Sequence, residues 1–209
     1  MAYTQVPQKD WATAREITQP EKVVWAVSCF SPFKTGGVDG IFLALLQKGI
    51  EVIKLHISRI MTACLAFGYV PKQWQVARVV FIPKLGKASY REVKSFRPIS
   101  LASFLLKTLE RLVEFHLKQG ILTDLPLHKH QHAYQSGLST ESALHDVVRR
   151  IERSLSRKQS ALGCFLDIPG AFDSVPVWVI EEAMMERNFP NVIRTWIAFM
   201  LRSRKPLVL

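Results

Sequence analysis

Apolar residues recur every three to four positions through most of this chain, a spacing that predicts amphipathic helices. One helix is expected to open at Thr18 as N-cap and to run to about Cys29, with Glu21 closing a capping box and Pro20 in the first turn. Ser31 to Gly40 reads as a loop, and Asp39 is placed to cap the helix that follows, roughly Ile41 to Phe67. Leu45, Leu46, Ile50, Ile53, Ile57, Ile60 and Met61 form its apolar stripe, and Gly68 and Pro71 stop it. Ser103 to Gln119 repeats the pattern with Leu105, Leu106, Leu109, Leu112, Val113 and Leu117, ending at Gly120. Thr123 to Leu138 is expected to be a loop. Ser139 then caps a helix reaching about Lys158, with Glu141 in its first turn, and Pro176 and Pro190 each open a further helix.

Three segments break this period. Gln75 to Ile82 is rich in β-formers, and Phe96 to Ala102 is extended because the residue before Pro98 is pushed away from helix. Between them lies a loop carrying Lys84, Lys87, Arg91 and Lys94, so the two extended pieces predict a hairpin with a positive tip. The run from Gly163 to Leu166 is apolar, ends in Asp167 and is followed by Pro169-Gly170, which reads as a buried strand with a carboxylate at its carboxyl end. Lys205 to Leu209 resembles the start of another strand, as if a domain were cut through its middle. With helices and strands mixed in this order, no internal repeat and no low-complexity linker, the expected fold class is α+β in one continuous unit.

At 209 residues and 48% hydrophobic composition, the chain can bury a core. The formal charge of +11 calls for an anionic partner, nucleic acid first. Cys29, Cys64 and Cys164 are widely spaced and show no zinc-ligand pattern, which fits reduced thiols in an intracellular protein of the nucleus or cytoplasm. His128, His130 and His132 alternate in a stretch read as a polar loop rather than a metal site. The amino terminus has no signal-peptide core, and no apolar stretch approaches the ~18 residues needed to cross a bilayer, so no membrane association is expected. Trp74, Trp178 and Trp196 sit on apolar faces and are assigned to packing.

Asp167 carries the chemistry. A carboxylate at the mouth of a core strand needs a cation or a hydrogen-bond partner, and magnesium takes hard oxygen ligands and bridges carboxylates to phosphates. The segments Arg78–Lys87 (RVVFIPKLGK), Ser95–Leu101 (SFRPISL) and Phe165–Asp173 (FLDIPGAFD) resemble, in order and spacing, the first blocks of a reverse transcriptase of the non-LTR, jockey-like retrotransposon type. Lys34–Ile41 (KTGGVDGI) and His130–Leu144 (HQHAYQSGLSTESAL) are similar to two further blocks of that family, and the likeness covers about residues 20 to 209.

That resemblance implies a right-hand polymerase fold, of which the chain would hold the fingers and a partial palm. Residues 1–19 would be a lead-in, 20–160 the fingers and connecting helices, and 161–209 the partial palm. The implied chemistry is attack of a primer 3′-hydroxyl on a deoxynucleoside triphosphate, copying an RNA template into DNA with two Mg2+ ions about 4 Å apart. Asp167 is similar to the first catalytic aspartate and would ligate metal together with the Ile168 carbonyl. Gly170 and Ala171 would let backbone amides approach the triphosphate, and Phe172 would stand as a steric gate against the ribose 2′-hydroxyl. Arg97 resembles the fingers arginine that meets the incoming nucleotide, with Lys84 and Lys87 as candidates for the other phosphates. Asp173 would serve structure.

Two departures stand out. Pro169 replaces an acidic residue and removes a backbone N–H. The chain also contains no Asp-Asp pair, the second carboxylate group such an enzyme needs. Glu181-Glu182 is no substitute, because consecutive helical residues diverge by about 100°. The 209-residue chain is therefore expected to be inactive on its own. The alternative expectation is a non-catalytic, basic nucleic-acid-binding remnant. Oligomeric state is not indicated.

Overall fold

A computed structural model describes residues 6–168, 170–171 and 174–208. It is a mixed α+β structure in which helices make the core and a small sheet stands beside them. The core is built by α1 (Gln8–Ile17), α2 (Pro20–Ser28), α3 (Leu43–Ala66), α5 (Phe104–Gln119) and α9 (Asn191–Ser203), with the single helical turn α4 (Lys72–Gln75) adding Trp74 at its edge. Trp196, Phe104, Ile17, Leu43, Met61, Leu65, Leu106, Leu109, Leu112 and Ile193 are its largest fully buried side chains. Each contributes roughly 1.5–3 kcal/mol by leaving water. Helix α1 falls where the apolar period is weak, yet its Ala14 and Ile17 are buried against α3.

The helix joints are specified by side chains, though not always those the pattern suggests. Thr18 does not cap α2, whose N-cap is Gln19 with Pro20 as its first residue. Instead Thr18 is buried at the end of α1, where its hydroxyl bonds the Ala14 carbonyl at 2.8 Å and Thr62 Oγ1 at 2.7 Å. Ser58 Oγ donates to the Thr18 carbonyl at 2.6 Å, so α1 is tied to α3 by hydroxyls in an apolar setting. Asp39 does not cap α3, which starts two residues beyond Ile41. Its Oδ1 accepts from the Ile41 amide at 3.4 Å and holds the preceding turn.

Gly68 does end α3, with φ +59°. The Tyr69 amide donates to the Cys64 carbonyl at 2.8 Å and the Gly68 amide to Leu65 at 3.0 Å, a Schellman closure. Ser103 caps α5 by accepting from the Leu105 amide at 3.1 Å, and Ser139 and Ser142 make a reciprocal capping box at the start of α7 (Thr140–Ser156). A short turn, α6 (Ile121–Asp124), precedes the loop leading to α7.

The sheet has strand order β2-β1-β3, from β1 (Val76–Pro83), β2 (Phe96–Leu101) and β3 (Lys205–Val208). β1 and β2 pair antiparallel as the expected hairpin, while β3 pairs parallel to β1 with Val76 opposite Lys205. Glu110 and Arg204 pair at 2.6 Å where β3 leaves α9. Desolvation pushes the Glu110 carboxyl up, and the Arg204 guanidinium opposes that shift.

Three further expectations are corrected. The run from Gly163 to Leu166 is not a buried strand: residues 159–168 have no regular structure, and Phe165 and Leu166 are 91% and 90% exposed. An apolar run becomes a strand only when a neighbour takes its backbone hydrogen bonds, and no strand among the described residues does so. Within α3, Leu45, Ile53 and Ile60 are exposed, because the stripe is wider than the surface that α1, α2 and α9 cover. Trp178, on α8 (Val177–Glu186), is 62% exposed rather than packed, whereas Trp74 and Trp196 are buried.

Gly68 also supports α9 directly, since a Cβ there would lie 2.5 Å from Thr195 Cγ2. Gly68→Ala should cost about 1–3 kcal/mol through left-handed strain and overlap. Thr195→Ser should return part of that loss, read as urea midpoints of the single and double variants; an unchanged midpoint for Gly68→Ala would contradict the packing described.

Candidate functional site

The hairpin assembles the expected cations. In its register Pro83 faces Phe96 and Ile82 faces Arg97, so Arg97 lies one pair in from the end of the ladder. The loop beyond is folded back on itself. The Lys84 amide donates to the Ser95 carbonyl at 2.8 Å, Tyr90 Oη to the Lys84 carbonyl at 2.9 Å, and Ser95 Oγ to the Ser89 carbonyl at 2.6 Å. The Tyr90 ring meets Phe96 edge-on at 6.0 Å. With the backbone polar groups answered locally, Lys87, Arg91, Lys94 and Arg97 project to solvent and Lys84 is half-buried.

Glu92 is the only acidic residue from Lys84 to Arg97, and none of these five cations has an ion pair among the described residues. The arrangement is a preformed cationic tip that can neutralise phosphate oxygens without first breaking internal salt bridges. Tyr90 is the residue sequence reasoning missed: its place in a basic loop carried no signal of the lock it makes.

The remaining expected residues lie on a separate turn. Asp167 is exposed and makes no hydrogen bond or ion pair among the described residues. The Ile168 carbonyl accepts from the Ala171 amide at 3.2 Å, and the Gly170 carbonyl, at φ +64°, accepts from Ser174 at 2.9 Å. Phe172, Pro169 and Asp173 fall outside the described residues. The structure thus gathers Lys84, Lys87 and Arg97 on the hairpin, and Asp167, Ile168, Gly170 and Ala171 on the turn, with no hydrogen bond or ion pair joining the groups among the described residues.

Among the described residues no three His, Cys, Asp or Glu side chains converge as metal ligands. One carboxylate beside one carbonyl falls short of the octahedral oxygen set that magnesium takes. The described residues do not by themselves fit a bound Mg2+.

These two residue groups fall within the stretch that identifies the chain. Residues 82–207 match the family of reverse transcriptases (RNA-dependent DNA polymerases), and the chain belongs to that family. Its relatives are the polymerases of non-LTR mobile elements. It is 32% identical over 155 residues to the probable RNA-directed DNA polymerase from transposon BS of Drosophila melanogaster, covering 74% of this chain and 17% of that protein. It is 33% identical over 155 residues to the RNA-directed DNA polymerase from mobile element jockey of Drosophila funebris, covering 74% and 17% respectively. The probable RNA-directed DNA polymerase from transposon X-element of Drosophila melanogaster is 33% identical over 162 residues, covering 75% and 17%. The chain spans about one-sixth of the length of these relatives.

The cysteines report on the exposure of the Asp167 segment. Cys164, three residues before Asp167, is exposed, as is Cys29, whereas burial pushes the Cys64 thiol up to about 11. Native protein at pH 8 should therefore give two thiols to a soluble disulfide reagent and the third only after unfolding. Protection of Cys164 in the native protein would contradict an open Asp167 segment.

Proposed function

We propose that this chain is the fingers and the beginning of the palm of a right-hand RNA-directed DNA polymerase encoded by a retrotransposon. Residues 20–160 supply the fingers and connecting helices, residues 161–209 the palm portion, and 1–19 lead in. The observation that carries the reading is the locked cationic hairpin, Lys84 to Arg97, followed by the Asp167 turn within one stretch of family likeness.

In the full-length protein the substrates are an RNA template, a DNA primer and deoxynucleoside triphosphates. Phosphoryl transfer depends on positioning and charge neutralisation, which sets the role of each group. Arg97 presents a planar guanidinium to the incoming nucleotide, and Lys84 and Lys87 neutralise its phosphates. Gly170 and Ala171 admit the triphosphate to the backbone, Phe172 excludes a ribose 2′-hydroxyl, and Asp167 supplies a carboxylate that would hold a divalent cation. Mg2+ would supply charge neutralisation at the phosphates when bound, and Asp167 and the Ile168 carbonyl would hold it only together with further carboxylates.

Two measurements test this. The 209-residue chain should bind an RNA–DNA template–primer with a steep salt dependence, and replacing Lys84, Lys87 and Arg97 by Gln should reduce the log–log slope by about 2 to 3. An unchanged slope would remove the hairpin from the interface. Primer extension should be absent for this chain, which has no Asp-Asp pair. In a polypeptide of the same element that contains one, Asp167→Asn should lower extension by about 10³-fold or more. Extension by the 209-residue chain would overturn the reading as an incomplete palm, and an active Asp167→Asn variant would overturn the role given to Asp167.

A further inference from the structure

The histidine-rich loop before α7 overlaps the family-like block His130–Leu144, but none of its residues has been given a role in the chemistry above. It folds against the first turns of α7 around an open cavity of about 390 Å³. Lys129, His130 and His132 line it from the loop, and Ser142, His145, Asp146 and Arg149 from the helix. His132 Nδ1 lies 2.9 Å from Ser142 Oγ, and the His128 and His130 rings are 5.2 Å apart. Asp146 is the only acid lining the cavity, and it is already engaged: its Oδ2 lies 3.2 Å from Arg150 Nη2 and 3.4 Å from His130 Nδ1. Lys129 and Arg149 have no ion pair among the described residues.

The cavity therefore carries excess positive charge with its one carboxylate spent. Its imidazoles can donate to an anion but do not converge as metal ligands. We propose that this cavity is a phosphate-binding site, in which Lys129 and Arg149 take the oxyanion charge and His130, His132 and His145 donate hydrogen bonds to its oxygens. The site shares no residue with the cationic hairpin or the Asp167 turn, and it does not depend on the polymerase reading.

Charge within the cavity shapes its pH response. Partial desolvation and the Arg150 guanidinium hold His130 below the usual imidazole range, with Lys129 and His128 adding to the effect and Asp146 opposing it. Arg150 Nη2 lies 2.9 Å from His130 Nδ1 and 2.8 Å from its Nε2, and it can donate only to whichever of the two carries no proton. A bound phosphate brings the opposite charge, so it must favour protonated imidazole, and acidification must in turn tighten phosphate binding.

The test is a histidine NMR titration of the whole chain at constant ionic strength set with NaCl. Probes are inorganic pyrophosphate, then a short oligonucleotide lacking terminal phosphates. Exposed His56 on α3 lies outside the cavity and serves as internal reference. With either probe, the titration midpoints of His130, His132 and His145 should rise by about half a unit or more relative to His56. Lys129→Gln with Arg149→Gln, both exposed and without an ion pair among the described residues, should abolish the rise while leaving the protein folded. A response to pyrophosphate alone assigns a free or terminal phosphate ligand, and a response to the oligonucleotide assigns a strand backbone. Midpoints that move no more than that of His56 with both probes, or that still move in the double variant, would overturn the site.

Discussion

The position of the cationic hairpin depends on a contact between two backbones. A Cβ on Gly37 would lie 2.7 Å from the Ser103 amide nitrogen and 2.8 Å from the Ala102 carbonyl carbon, while one on Gly36 would lie 2.7 Å from the Ile41 carbonyl oxygen. The loop between α2 and α3 therefore runs directly against the joint where β2 becomes α5, at a separation only glycine permits. Ser103 caps α5 at that same joint. The hairpin is thus seated on the helical core at its base, while its distal half, from Val80 to Pro83, is exposed. The base is seated and the tip is open to solvent.

Order and exposure divide along the chain. The core draws on residues 6–120 and on α9, whose Val192, Ile193 and Trp196 are buried. Between them the apolar surface is largely uncovered. Helix α7 presents Leu144, Val147, Val148, Ile151 and Leu155 without one buried residue, the Asp167 segment exposes Phe165 and Leu166, and α8 exposes Trp178. These uncovered faces follow one another in sequence and bracket the aspartate on which the proposed chemistry rests. The hairpin cations stand on a loop closed by its own hydrogen bonds, whereas Asp167 has no hydrogen bond or ion pair among the described residues.

Much of this was legible from periodicity. The long helices appear with nearly the expected ends because apolar spacing and stop signals such as Gly68 and Gly120 are local properties. The hairpin was legible because Pro98 and the β-formers constrain backbone directly. What failed was whatever depended on a distant partner. Thr18 has the right chemistry for a cap, but a hydroxyl from Thr62, 44 residues away, claims it, and Pro20 starts the next helix one residue late. The Gly163–Leu166 run has strand composition and no strand beside it among the described residues. Trp178 looks like core only if something packs on α8. At the site, the blocks nominated candidate residues, whereas the Tyr90 lock and the Gly37 seat were not foreseen, since neither leaves a periodic trace.

The central claim is that the cationic hairpin is already built while the segment bearing Asp167 remains unpaired. Native-state hydrogen–deuterium exchange, read by peptide mass spectrometry on the 209-residue chain, tests it most directly. Peptides covering Val76–Pro83 and Phe96–Leu101 should be protected, and those covering 161–168 should exchange at the rate of an unstructured peptide. Protection of 161–168 equal to that of the hairpin would contradict the account.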